Sequence, residues 1–398
     1  MRQVCRAGFR EDWRGARKVL AVRLDSLGDV LMTTPALHAI KASSPGTQLS
    51  LLTSPSGAEA ARLAPDVDEI LVYSAPWIKA TDKRAQAEPD RAMIARLRAA
   101  EFDAAVIFTV YSQNPLPAAL LCYLADIPRR LGHCRENPYQ LLTLWLKEPE
   151  PETRVRHEVR RQLDLVAAAG WHSSDERLRL VPADEATERA AELLAAAGID
   201  AERPWLVVHP GASAPSRRYP AASFAAVIRM LAAEHGWQIV LTGTRSEASL
   251  VQAIRRQAGV RCASLAGRLN VGELAALLAR APLLLSNNTG PVHVAAAVGT
   301  PVVDLYALTN PQHTPWSVPH RVLFEDVPCR YCYKSVCPAG HHECLLGVSP
   351  ERVAAAVLEL ASERAAPNDA GERPAAQGRQ KPLQAADDAA LAAAGPGL

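Results

Sequence analysis

From Lys18 onward the chain repeats one pattern: a short apolar or β-branched run, a polar turn, then a helical stretch. Residues 19–37, VLAVRLDSLGDVLMTTPAL, show it first. Such alternation predicts a parallel sheet with helices on both faces, because parallel strands can be joined only by a crossover. The first series places strands at 18–23, 47–52, 69–73 and 103–108, with helices near 29–42, 56–64, 88–101 and 113–125. A second series starts near Pro204, with strands at 205–208, 238–242, 261–264, 282–285 and 301–305 and helices near 220–235, 246–258, 271–280 and 290–298. The fold expected is α/β: two Rossmann-like domains facing a central cleft, with ligands at the carboxyl ends of the strands.

The expected domains are residues 18–175 and 204–362, joined by a linker helix at 176–203. Residues 1–17 read as a polar, Arg-rich extension. Residues 363–398, rich in Ala, Pro, Gln and Asp without apolar periodicity, read as a disordered tail. Over 398 residues the formal net charge is only +2, and no aromatic residues interleave with a basic stripe, so nucleic acid is not expected as a partner. No run reaches the roughly 18 apolar residues of a membrane span, and the basic N-terminus lacks the apolar core of a secretory signal. A cytoplasmic protein is expected, and its eight cysteines then read as thiols or metal ligands.

Chemistry is concentrated in the turns. In LDSLGD, Asp25 and Asp29 stand between a buried strand and a helix, where they could cap the helix or act on a substrate. In LLLSNNTGPVHVAAAVGTPVV, a strand runs into Asn288, Thr289 and Gly290 at a helix start, with His293 in the first turn. Free N–H groups and the positive dipole end there suit a phosphate, although plain capping is the alternative. In HPGASAPSRRYP, Ser213 precedes Arg217 and Arg218 ahead of another helix. Cations are disfavoured at a helix N-terminus, so an anion between these loops, a diphosphate, makes better sense of them, with solvated surface arginines as the alternative. Glu247, in LTGTRSEASL, could accept ribose hydroxyls or simply face solvent. No G-x-G-x-x-G is present, which argues against a dinucleotide dehydrogenase.

The stretches LDSLGDVLMTTPAL, HPGAS…SRRYP and SNNTGPVHVAAAVGTPVV, in this order, resemble the heptosyltransferases of glycosyltransferase family nine over about residues 18–362. The resemblance implies a GT-B fold, an acceptor on the first domain and a nucleotide-sugar on the second. It implies inverting transfer of heptose from ADP-heptose to the lipopolysaccharide inner core, with no catalytic cofactor. Asp29 falls at the family's general base and Arg217 at its diphosphate-holding cation, where lysine is more usual. Thr289, Gly290 and His293 match its Thr-Gly-x-x-His element, while Asn288 stands where many members carry aspartate. An acceptor bearing anionic groups would sit at Gly28 and the Arg-rich stretch 129–161, with Arg130 and His157 as candidates. Against this, the stretch could be an exposed, salt-bridged helix pair. The acceptor would bring the enzyme to the inner membrane surface.

Cys329, Cys332, Cys337 and Cys344, in loop 327–345, follow C-x2-C-x4-C-x6-C, which is metal-ligand spacing. A structural zinc or iron is the leading reading, and reduced thiols or a disulfide pair the alternative. Two further functions stay open: a heptosyltransferase acting on a protein, and a metal-stabilised binding or redox protein centred on these cysteines. Asp66 and Asp68, an Asp-x-Asp before a strand, read as ordinary loop residues.

Overall fold

The computed structural model describes residues 4–6, 13–79, 81 and 83–365. The first sheet holds β1 (Val4–Arg6), β2 (Lys18–Arg23), β3 (Gln48–Thr53), β4 (Glu69–Val72), β5 (Ala104–Ile107), β6 (Arg129–Cys134) and β7 (Leu144–Lys147) in the order β1-β7-β6-β5-β2-β3-β4. All neighbours are parallel except β1 and β7. The second sheet holds β8 (Trp205–His209), β9 (Gln238–Leu241), β10 (Ala263–Ser264), β11 (Leu284–Asn287), β12 (Val302–Leu305) and β13 (His320–Leu323), ordered β10-β9-β8-β11-β12-β13 and wholly parallel. Central strands such as AAVI and WLVVH are buried at every residue, as parallel strands covered on both faces require.

The helix Leu27–Ser43 joins the two halves. It is buried on nearly all sides, from Gly28 to Ile40. Such a helix lies in a core rather than on a surface. One apolar cluster accordingly runs from Val30, Leu31 and Leu37 through to Val292, Val294 and Ala295 of the helix Gly290–Ala297. Pro35 cannot donate to the Leu31 carbonyl, and the Thr34 hydroxyl supplies that bond instead at 2.7 Å. The helix Asp184–Ala196, within the expected linker, has its apolar face in the same cluster as the helix Val271–Arg280.

Several expectations need correction. The stretch 129–161 is not an exposed helix pair: it supplies β6, β7 and only the start of the helix Glu158–Ala167. Several of its charges are drawn inward because they meet partners, while Arg135, Lys147 and Arg154 stay exposed. Arg161 is buried and donates through Nε to Glu148 at 2.8 Å and through Nη1 to the Thr109 carbonyl. Arg156 pairs with Glu150 and with Asp164 at 2.8 Å. The 1–17 extension takes part in the fold, since β1 pairs with β7 and buried Trp13 meets Trp171 edge to face at 5.8 Å. The strand β13 and the helix Pro350–Ala365 were not anticipated. The expected tail lies outside the described residues beyond Ala365. Asp66 pairs with His38 and Arg179, and Asp68 with Lys41, which are structural roles.

Among the described residues no helix is long and apolar enough to cross a membrane. Removing one partner of a buried pair leaves an uncompensated charge and costs about 3–5 kcal/mol. Arg161→Met should therefore lower the urea midpoint markedly, and adding Glu148→Gln should restore much of it.

Candidate active site

The cleft is organised around Arg23, the last residue of β2, whose side chain is fully buried. Its Nε lies 3.0 Å from Asp25 Oδ2, its Nη2 donates to Asp29 Oδ1 at 3.1 Å, and its Nη1 donates to Glu158 Oε1 at 2.9 Å. Burial works against the guanidinium charge, but three carboxylates outweigh it and hold the group protonated. The carboxylates differ among themselves. Burial pushes Asp25 up to about 6, opposed by Arg23 and reinforced by Asp29. Burial also acts on Asp29, but there Arg23, His313 and the Ser26 hydrogen bonds win and hold it down at about 2. Asp29 Oδ2 accepts from the Ser26 hydroxyl at 2.6 Å and the Ser26 N–H at 3.1 Å. Asp29 thus caps its helix and faces the cleft as a fixed anion.

The cleft has a volume of about 1360 Å³ and is walled by both halves of the chain. At its floor the helix starts at Leu27 and Gly290 meet. A Cβ on Gly28 would fall 2.8 Å from His293 Cδ2, and one on Gly290 would sit 3.4 Å from Leu27 Cδ2. Glycine at 28 is what lets the two helix ends approach. Gly28, Asp29, Ser213, Arg217, Arg218, Glu247, Thr289, Gly290 and His293 all line this one cleft.

Their detailed placements separate their roles. Arg217 ends the turn Pro215–Arg217 and forms no ion pair among the described residues, which leaves its charge available. Arg218 braces its own loop, donating through Nε to the Ala212 carbonyl at 2.8 Å. Glu247 does not simply face solvent: its Oε2 accepts from the Thr244 N–H at 2.8 Å and hydroxyl at 2.9 Å. Gly211 passes so close that a Cβ there would fall 2.0 Å from Glu247 Oε1.

Three expected residues do not line the cleft. Asn288 is buried behind it, donating to Asp304 Oδ2 at 2.8 Å and the His313 carbonyl at 2.9 Å. Burial lifts Asp304 to about 8, against the Asn288 bond, so it is protonated at neutral pH. An aspartate at 288 would set two carboxyls together; the amide avoids that. Arg130 is buried and ties main-chain carbonyls, with Nε to Leu141 at 2.8 Å and Nη2 to Gln140 at 2.7 Å. His157 caps the helix Glu158–Ala167, and its Nε2 bonds the Thr314 carbonyl at 2.9 Å while its ring packs on Trp316. These two are fastenings of the fold rather than surface groups awaiting an anionic acceptor.

Arg23, Glu158 and His313 were missed. Glu158 lies 135 residues from Arg23, and no periodicity links them. His313 lies in a polar loop, TNPQHTPW, at the carboxyl end of β12, which is the one signal that could have directed attention to it.

Cys329, Cys332, Cys337 and Cys344 line a single small cavity of about 20 Å³ together with Ser216 and His341. Cys329 Sγ is 3.5 Å from His341 Nε2. Burial raises the Cys344 thiol, and its three fellow cysteines raise it further. Among the described residues no three His, Cys, Asp or Glu side chains stand in a metal-holding arrangement. The loop itself buttresses the cleft. Ser216, beside Arg217, donates through N–H to the Ser335 carbonyl at 3.0 Å and through its hydroxyl to the Lys334 carbonyl at 2.8 Å.

Two mainly parallel α/β sheets walling one cleft, with a cation and a helix start on one side and an anchored carboxylate on the other, have the GT-B architecture of glycosyltransferases. The sequence pattern of glycosyltransferase family 9 (heptosyltransferase) matches residues 91–342, and the chain belongs to this family. It is 28% identical over 323 residues to lipopolysaccharide heptosyltransferase 1 of Pseudomonas aeruginosa, covering 80% of this chain and 87% of that one. It is 27% identical over 268 residues to lipopolysaccharide heptosyltransferase 2 of Salmonella typhimurium, covering 63% and 74%. Among solved structures, a family 9 glycosyl transferase of Veillonella parvula matches with a TM-score of 0.73 at 21% identity, over 89% of this chain and 99% of that one. The ADP-heptose lipopolysaccharide heptosyltransferase II of Escherichia coli matches with a TM-score of 0.67 at 23% identity, over 88% and 100%. Both share the fold.

Buried histidines make the fold sensitive to acid. Burial lowers His133, His157, His209, His293 and His313 below their ordinary value. Below about pH 6.5 the unfolded chain then binds more protons than the folded one, so stability falls with pH. Asp25, Glu150 and Asp304, raised by burial, act oppositely by holding protons in the folded state. These five imidazoles, with His320 lowered in the same way, outweigh the three carboxyls, and the melting temperature should be lower at pH 5 than at pH 7.

Proposed function

We propose that the protein is an inverting heptosyltransferase that moves heptose from ADP-heptose to the inner core of lipopolysaccharide, working in the cytoplasm at the inner membrane surface. The observation that carries this is the ionised Asp29 set across one cleft from Arg217 and the helix start at Gly290. The family membership and the names of its relatives support heptose and lipopolysaccharide as substrates.

In this reading the donor diphosphate lies against Arg217, the Thr289 hydroxyl and the free N–H groups of the helix Gly290–Ala297. These take up the charge that grows on the leaving group. Glu247 Oε1 is the acceptor available to ribose hydroxyls. The acceptor hydroxyl attacks C1 from the Asp29 side, opposite the diphosphate, so configuration inverts. The C1–O bond to the diphosphate breaks as the new C–O bond forms, and the hydroxyl proton passes to Asp29. Held by Arg23 and Ser26, Asp29 is a weak base, so it takes the proton late, once bonding to C1 has made the hydroxyl strongly acidic. Asp29→Ala should lower kcat by about 10²–10⁴-fold, the usual worth of a general base, while ADP binding measured by calorimetry stays unchanged. Arg217→Ala should instead weaken ADP binding. Full transfer activity in Asp29→Ala would overturn the assignment.

The cysteine loop is read as the seat of a structural zinc or iron held by Cys329, Cys332, Cys337 and Cys344. Four thiolates are a donor set for either metal. A bacterial iron-containing dodecameric glycosyltransferase of Escherichia coli has the same fold at 14% identity, with a TM-score of 0.52. A bound ion would staple the loop that carries the Ser216 contacts and take no part in transfer. Elemental analysis should find close to one metal ion per chain, and chelation should lower the melting temperature and weaken ADP binding. Metal-free protein of unchanged stability would end this reading.

A further inference from the structure

We propose that His313 is a substrate-contacting residue of the cleft, hydrogen-bonding a hydroxyl of the transferring sugar between Asp29 and Arg217. This rests on the sugar-transfer reading above. His313 lines the cleft, yet only 9% of it is exposed. Its Nε2 is buried without a partner, and no hydrogen bond joins either ring nitrogen to another described residue. Buried polar groups are nearly always satisfied, and an unsatisfied one is costly. An imidazole kept in this state beside an open cleft marks a place for a ligand group. A satisfied histidine of the same cleft looks different: His209, also buried, bonds Thr242 Oγ1 at 3.0 Å.

The position selects the sugar rather than the nucleotide. The ring feels Asp29, Glu158 and Arg23 from one half of the chain and Arg217 from the other. If the diphosphate is at Arg217 and the attacking hydroxyl at Asp29, the group between them is the sugar being transferred. Burial keeps the imidazole neutral at neutral pH, which gives it one donor and one acceptor nitrogen to match hydroxyls.

The main chain around it is held from both sides. The Gln312 carbonyl accepts from the Glu158 N–H at 3.0 Å, and its side chain donates to Glu150. The His313 carbonyl accepts from Asn288 at 2.9 Å, and the Thr314 carbonyl bonds His157 at 2.9 Å. Trp316 Nε1 donates to the Glu176 carbonyl at 2.7 Å. A loop from the second half is thereby pinned to the first, which fixes the ring without using its nitrogens.

The test is calorimetric binding of ADP and of ADP-heptose to wild type, His313→Ala, His313→Leu and His313→Gln, with kcat and KM for transfer. Leu fills the space without hydrogen bonding, and so reports even if the Ala variant fails to fold. Loss of one such bond should weaken ADP-heptose about tenfold and leave ADP unchanged. Gln should recover part of the loss. Equal weakening of both ligands, or of neither, would overturn the proposal for His313 alone. Wild type that binds no ADP-heptose would remove the sugar-transfer reading and this inference together.

Discussion

The site depends on one buried cation. Arg23 is surrounded by Asp25, Asp29 and Glu158, contributed by the strand end, the first helix and a helix far along the chain. Desolvating four charges together is costly, and only their mutual pairing makes it tolerable. The same pairing fixes geometry, because the planar guanidinium offers donors in a rigid fork. Asp29 is therefore held in position and in charge by a group that never reaches the cleft. Asp25, buried on the same guanidinium but raised further by Asp29 and Glu158 and without the Ser26 hydrogen bonds, is driven the other way.

A second constraint acts across the cleft. The loop after β12 crosses from the second half of the chain to bond Glu150, His157, Glu158 and Glu176 in the first. The cysteine loop supports the same region: the Tyr333 N–H donates to the Thr309 carbonyl at 2.8 Å, and its ring meets Tyr111 at 5.6 Å. Glu158 belongs to both systems, since its side chain holds Arg23 and its N–H holds Gln312. The carboxylate wall and the cation wall of the cleft are thus mechanically connected through one residue, and preorganisation of this kind is what electrostatic catalysis requires.

Much of the fold was legible because strands and helices leave local traces. The apolar runs ending at Arg23, His209 and Asn287, and the polar turns after them, follow directly from burial on both faces and from ligand-facing turns. The stretch 129–161 was misread because its arginines look like solvated charges. Arg130 and Arg161 are buried, and what makes that possible is a set of carbonyls and one carboxylate elsewhere in the chain. Asn288 likewise looked like a cleft residue from its neighbours Thr289 and Gly290, although its amide turns inward to Asp304.

The sequence by itself determined the α/β class, the two series of strands and helices, and the turns in which Asp29, Arg217, Thr289 and His293 stand. Periodicity and helix-start chemistry act over a few residues, so a linear reading captures them. Tertiary structure alone decided that Arg23 has three carboxylates, that Glu158 braces it from behind the cleft, that His313 lines the cleft, and that Arg130 and His157 do not. Those outcomes are set by desolvation and by partners up to 135 residues apart, and a buried charge can be distinguished from a solvated one only after its partner's position in space is known.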